Sequence, residues 1–137
     1  MNCWLVKSEP STYSWHDFVK KGRDHWDGVR NYQARNHLKA MQPGDLVLFY
    51  HSVKEKAVVG IAKVVSESYP DPTTTDERWV VVDMEPIKPL SGKVSLEQIK
   101  AEPILAEISL LKQSRLSVMP LSEVAFNKIV DLSKAKN

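Results

Sequence analysis

The sequence is short of several things that would point to familiar chemistry. One cysteine, Cys3, stands among 137 residues, so there is no disulfide framework and no cysteine set for zinc. At the head of an apolar run it reads as a small buried hydrophobe, and a chain without disulfides fits the reducing cytoplasm. The four histidines, His16, His25, His37 and His51, are too scattered to suggest a metal site. No run approaches the ~18 apolar residues of a membrane helix, and the first residues carry no signal-peptide pattern. Glycine is scarce, five in all, and none belongs to a phosphate-cradling loop; G-x-S-x-G and metal-binding spacings are missing too. An excess of one charge is also lacking. With 19 Lys and Arg against 17 Asp and Glu, the net charge is +2 and there is no polybasic tail. That balance permits nucleic-acid binding through a localised site and excludes blanket attraction to phosphates.

What is present is an ordinary globular composition, 42% apolar and 26% charged, in a chain of the length that builds one domain, residues 1–137. Cys3 to Val6 reads as a short strand ended by Lys7-Ser8-Glu9-Pro10. Ser14, with Asp17 three residues on, caps a helix carrying Trp15, Phe18 and Val19 inward, which stops at Lys20-Lys21-Gly22. A second helix spans Asn31 to about Met41, before Gln42-Pro43-Gly44. Leu46 to Tyr50 is a nearly continuous apolar strand of the kind buried on both faces. A charged hairpin loop, Lys54-Glu55-Lys56, leads to a second β run from Ala57 to Ser66, where Gly60 marks a bulge or a close backbone approach. Trp79 to Ile87 predicts a third strand, stopped by Pro86 and Pro89. Ser95, with Gln98, caps a short helix to Lys100, and Ile104 to Leu111 is a short helix or irregular segment. A last short strand precedes Pro120, and Ser122 caps a C-terminal helix with Val124, Ala125, Ile129, Val130 and Leu132 inward. Strands separated by short helices, without βαβ alternation, predict an α+β fold on a curled sheet or small barrel.

One stretch does not read as structural. Trp26-Asp27-Gly28-Val29-Arg30-Asn31-Tyr32-Gln33-Ala34-Arg35-Asn36 lacks an apolar stripe at either period and is crowded with groups that stack, donate or accept. Three polar sets stand at strand ends: Lys7-Ser8-Glu9, His51-Ser52 and Gln113-Ser114-Arg115. Such groups often converge on the mouth of a closed sheet, and with the first stretch they describe one pocket. Trp4 and Trp79 lie inside strand patterns and are expected in the core.

These segments carry a resemblance. Trp4 to Pro10, Trp26 to Asn36, Phe49-Tyr50-His51-Ser52 and Ser114 to Val118, supported by Gly60-Ile61, Tyr69-Pro70-Asp71 and Trp79, resemble the EVE domain. That family belongs to the PUA-like group and is related to the YTH domains, which read methylated adenine in RNA. The resemblance spans essentially the whole chain. It implies a PUA-like curled sheet or small β-barrel surrounded by short helices, and a pocket for a modified base flipped out of DNA or RNA, such as 5-methyl- or 5-hydroxymethylcytosine or N6-methyladenine. A flipped base must regain stacking and fixed partners for its edge. Trp26 is the expected stacking wall, and Ser8, Asn31, Tyr50, His51, Ser52, Leu116 and Ser117 are the expected remainder of the pocket. Lys7, Arg30, Arg35 and Arg115, with Lys112 the weakest of the set, are candidates for flanking phosphates. The competing role for the arginines is an ion pair with a carboxylate such as Asp27 or Glu9. A monomer is expected, with no cofactor, metal or membrane partner. The alternative is an amidohydrolase of the related ASCH kind acting on a modified nucleoside, with Lys7 as base and Glu9 as proton shuttle. On a straight strand, however, Ser8 would point away from both.

Overall fold

The most apolar segments of the chain become the centre of its sheet. The computed structural model describes residues 2–134. β1 (Cys3–Ser8) leads through α1 (Trp15–Lys21), a two-residue β2 (Asp24–His25) and α2 (Tyr32–Ala40) to β3 (Leu46–His51). β4 (Ala57–Val64) follows, then β5 (Tyr69–Pro70), β6 (Val80–Val81) and the long β7 (Asp83–Ser95). α3 (Leu96–Lys100), a 3-10 turn (Pro103–Leu105) and α4 (Ser109–Lys112) connect to β8 (Val118–Leu121) and α5 (Glu123–Lys134). Six strands form one curled half-barrel sheet in the order β2-β7-β4-β3-β1-β8, and β5 pairs with β6 in a separate ribbon. β1 and β3 run parallel while their outer neighbours are antiparallel. The class is α+β with short helices around the sheet, as the sequence predicts.

Local chemistry accounts for most element boundaries. Ser14 and Asp17 close a reciprocal capping box on α1, as do Ser95 and Gln98 on α3. Ser122 Oγ accepts the Ala125 N–H at 3.0 Å to open α5. In β3, Val47, Leu48 and Phe49 are fully enclosed, which suits a central strand covered on both faces. Trp4 is buried and donates Nε1–H to buried Asp45 at 2.9 Å. Cys3 is buried, and burial pushes its thiol pKa up. Both readings of Gly60 hold: the β4 register shifts beside it, and a Cβ there would stand 2.5 Å from the Trp15 ring.

Four expectations fail. β7 runs through Pro86 and Pro89 to Ser95 rather than stopping at them. Among the described residues the two-residue β2 covers its outer edge only at Asp83 and Met84, so no described strand on that edge waits for the missing N–H groups, and the β4–β7 register shifts fall beside the prolines. Pro120 likewise lies inside β8, which is the opposite edge strand. The run from Trp79 is split, with β6 pairing to β5 before β7 begins. Val19 and Val124 are exposed rather than inward; Phe126 takes the buried place in α5.

Candidate functional site

The end of β1 turns sharply, because the Thr12 and Tyr13 N–H groups both return to the Glu9 carbonyl, at 3.0 and 2.9 Å. This bend brings Lys7, Ser8 and Glu9 to the same cleft, which a straight strand would not do. The cleft measures about 440 Å³ and is completed by Tyr13, Asp24, Trp26 and Asp27. Trp26 is fixed by its backbone, whose N–H donates to the Val82 carbonyl at 2.8 Å. Its ring meets Tyr13, Phe18 and Phe49 edge-on, at interplanar angles of 75°, 78° and 90°. None of these three aromatic neighbours lies parallel to it.

The polar groups of the cleft differ in how fully they are used. Ser8 Oγ donates to the Tyr13 carbonyl at 2.5 Å. Tyr13 OH donates to Asp24 Oδ2 at 2.7 Å; burial first, then this carboxylate, raises the phenol pKa. The Glu9 carboxylate accepts from Ser11 and Thr12, and the Ser11 bonds lower its pKa. The Lys7 ammonium donates to the Ser114 carbonyl at 2.9 Å, and desolvation by burial lowers its pKa. Asp27 is the least committed: its side chain is 45% exposed and faces only His25 Nε2, at 3.5 Å, among the described residues.

Two smaller grooves follow the cleft in series. Lys7 and Ser114 also line a groove of about 200 Å³ with Tyr50 and Ser52, where burial raises the Tyr50 pKa. Ser114 in turn belongs to a groove of about 340 Å³ with Asn31, Arg115 and Leu116. Six of the predicted pocket residues are therefore divided among three adjoining hollows, Ser8 and Trp26 in the first, Tyr50 and Ser52 in the second and Asn31 and Leu116 in the third, while His51 and Ser117 line none of them. Several are occupied within the fold. The Asn31 side chain caps α2 by accepting the Ala34 N–H at 2.9 Å. His51 Nε2 accepts the Trp15 backbone N–H at 2.9 Å, so its proton sits on Nδ1, against Glu55. Leu116 is buried, and Ser117 contributes its carbonyl to the Lys7 N–H at 2.9 Å.

The arginines separate as well. Arg30 pairs with the enclosed Asp71 carboxylate at 3.0 Å, rather than with Asp27 or Glu9, and lies 5.6 Å from the Trp79 ring centroid. Arg35 sits 5.0 Å over Tyr32, which packs on Trp79 at 5.2 Å. Trp79 is buried as expected, but in this cluster rather than in the main core. Lys112 pairs with Glu107 at 2.9 Å. Arg115 is exposed and forms no ion pair among the described residues. Sequence reasoning missed Tyr13 and Asp24 in the cleft, and Arg78, which lies 5.7 Å from the Trp79 ring centroid and donates to Tyr32 OH at 2.8 Å; the place of Asp24 two residues before Trp26 was the one available signal. Among the described residues no three His, Cys, Asp or Glu side chains are grouped to hold a metal ion.

A family model for the EVE domain matches residues 2–132. The chain belongs to the EVE family. Thymocyte nuclear protein 1 of Mus musculus is 33% identical over 169 residues, a match covering 98% of this chain and 75% of that protein. The crystal structure of an Agrobacterium tumefaciens protein is 41% identical with a TM-score of 0.96, covering 100% of this chain and 96% of that one. Human THYN1 protein, solved in complex with 5-methylcytosine containing DNA, is 30% identical with a TM-score of 0.93, and the match covers 100% of both chains. This EVE domain therefore shares its whole fold, including the strands that frame the cleft, with a protein crystallised on modified DNA.

Proposed function

We propose that this EVE domain binds nucleic acid without catalysis and takes one modified base, flipped from its stack, into the Trp26 cleft. The observation that carries the reading is one cleft lined both by the Trp26 indole and by an exposed, lightly used carboxylate, Asp27. The volume of about 440 Å³ is in the range of small-ligand sites. A base stacking on Trp26 regains what it loses on leaving the duplex. Asp27 accepts from an exocyclic amino group, as acidic side chains do from cytosine N4, which favours cytosine and adenine over bases lacking that donor. The DNA complex of human THYN1 makes DNA the first partner to test and 5-methylcytosine the first ligand; 5-hydroxymethylcytosine, N6-methyladenine and RNA are the other candidates. Arg115, Lys7 and Lys112 border the adjoining grooves and face the flanking phosphates in this reading, while Arg30 and Arg35 brace the wall beyond them.

A methyl group filling an apolar slot contributes about 0.8 kcal/mol, so the preference for a methylated base over its plain form is about fourfold. The test is a binding titration against plain and modified oligonucleotides, as single- and double-stranded DNA and as RNA, at one salt concentration, followed by analysis of the recovered nucleosides. Preference for one modification with every nucleoside recovered unchanged supports the reading. Turnover of any nucleoside overturns it in favour of the amidohydrolase and returns attention to Lys7 and Glu9. Both groups line the cleft, but Lys7 is held at a carbonyl and Glu9 is held by its own turn.

A further inference from the structure

The turn between β3 and β4 holds two residues in the left-handed backbone region. Val53 has φ +72°, and Lys56 has φ +50°. A β-branched residue in this left-handed region is a genuine outlier, since its Cβ crowds the backbone. Val53 is also 60% exposed, so the side chain gains little burial in return. The turn is nevertheless held firmly at both ends. The Ser52 N–H donates to the Ser8 carbonyl and the Leu96 N–H to the Lys56 carbonyl, each at 2.9 Å. Glu55 is tied to His51 Nδ1 and, at 2.7 Å, to Lys93 Nζ. An apolar tip is thus presented rigidly, one residue along from a strand end bonded to the cleft's own Ser8.

The tip is flanked by cations. Lys54 and Lys56 are exposed and form no ion pair among the described residues. Lys54 stands close enough to the cleft for its charge to act on Glu9, whose carboxyl the Ser11 bonds already hold low. Val53 itself lines the groove that shares Lys7 with the cleft.

We propose that Val53 is an apolar wedge that enters the base stack of a DNA duplex as one base leaves it for the Trp26 cleft, with Lys54 and Lys56 meeting phosphates on either side. This rests on the base-reading role above and adds how the duplex is opened. A base leaving a duplex exposes the faces of its two neighbours; an apolar side chain in the gap restores contact and blocks return. A single strand has no closed stack to hold open, so the wedge acts on duplexes alone.

The experiment compares Val53→Asn, Val53→Gly and Val53→Leu with the unaltered chain. Each is titrated with a duplex bearing one 5-methylcytosine and with the same modified strand alone, at one salt concentration. Asn and Gly accept the left-handed backbone and remove the apolar tip, so both variants melt at or above the parent temperature. Both are expected to bind the duplex about tenfold more weakly while binding the single strand as the parent does. Val53→Leu keeps duplex affinity. A 2-aminopurine placed beside the modified base brightens with the parent and with Val53→Leu, and brightens less with Val53→Asn. Val53→Asn matching the parent on the duplex, or losing affinity equally for duplex and single strand, overturns the wedge and leaves base reading intact. A parent that fails to distinguish modified from plain single strands overturns base reading, and the wedge with it.

Discussion

Trp26 packs edge-on against Tyr13, Phe18 and Phe49 and is only 9% exposed, so one ring serves the cleft and the core together. Trp26→Ala is therefore expected to lower stability by about 3–5 kcal/mol as well as to abolish discrimination between modified and plain bases. Trp26→Phe keeps an aromatic face, and retains most of the stability with weaker discrimination; urea unfolding and binding measured on the same preparations separate the two effects. Gly60 answers a different constraint. A Cβ there would lie within 2.5–2.6 Å of three Trp15 ring atoms, and that ring is packed against Phe18 and Phe49 at centroid distances of 5.7 and 5.4 Å. Because the added methyl meets the body of a packed ring rather than a flexible tip, Gly60→Ala is expected to cost about 1–3 kcal/mol, read from the shift in the urea midpoint.

Between the elements, one carboxylate joins the segment before α2 to the loop between β5 and β6. Asp71 is fully enclosed and accepts from the Gly28 N–H at 3.1 Å, from Arg30 Nη1 at 3.0 Å and from the Thr73 N–H at 2.7 Å. Burial alone would raise its pKa; the Thr73, Arg30 and Gly28 bonds outweigh it and bring the value down to about 2. The folded pKa lies below the unfolded value of about 4, so the unfolded chain takes up the proton first. The stabilisation is intact above pH 4 and is lost as pH falls toward 2. Asp71→Asn is expected to lower the melting temperature at pH 7 and to flatten its fall between pH 4 and 2, checked by thermal melts across that range. The pairing also explains why Arg30 is held beside Trp79 instead of reaching into the cleft.

Over the whole molecule the net charge of +2 conceals an uneven arrangement. Glu9, Asp24 and Asp27 gather in the cleft, while Arg115, Lys112 and Lys56 line the grooves beside it. Arg115→Ala is expected to weaken modified and plain DNA alike and to reduce the slope of log affinity against log salt by about 1, measured by titration at three salt concentrations. A loss confined to the modified target would move Arg115 from phosphate contact to base recognition. Much of this molecule was legible in the order of its residues. Capping boxes at Ser14 and Ser95 follow from short-range sterics and hydrogen bonding, which act within a few residues, while the apolar run of β3 and the glycine at position 60 mark residue types that only a covered strand and a close approach require. The polar stretch from Trp26 to Asn36 was legible too, because it breaks the apolar periodicity that packing imposes elsewhere. What the sequence could not show was pairing across the chain. Asp71 lies 41 positions from Arg30, His51 is consumed by the N–H of Trp15, and Asn31 by the start of its own helix. Pro86 and Pro89 could be kept inside a strand only because that stretch of β7 has, among the described residues, no strand partner on its outer edge. Such choices depend on which distant groups the curled sheet brings within hydrogen-bonding reach, and only the tertiary structure decides that.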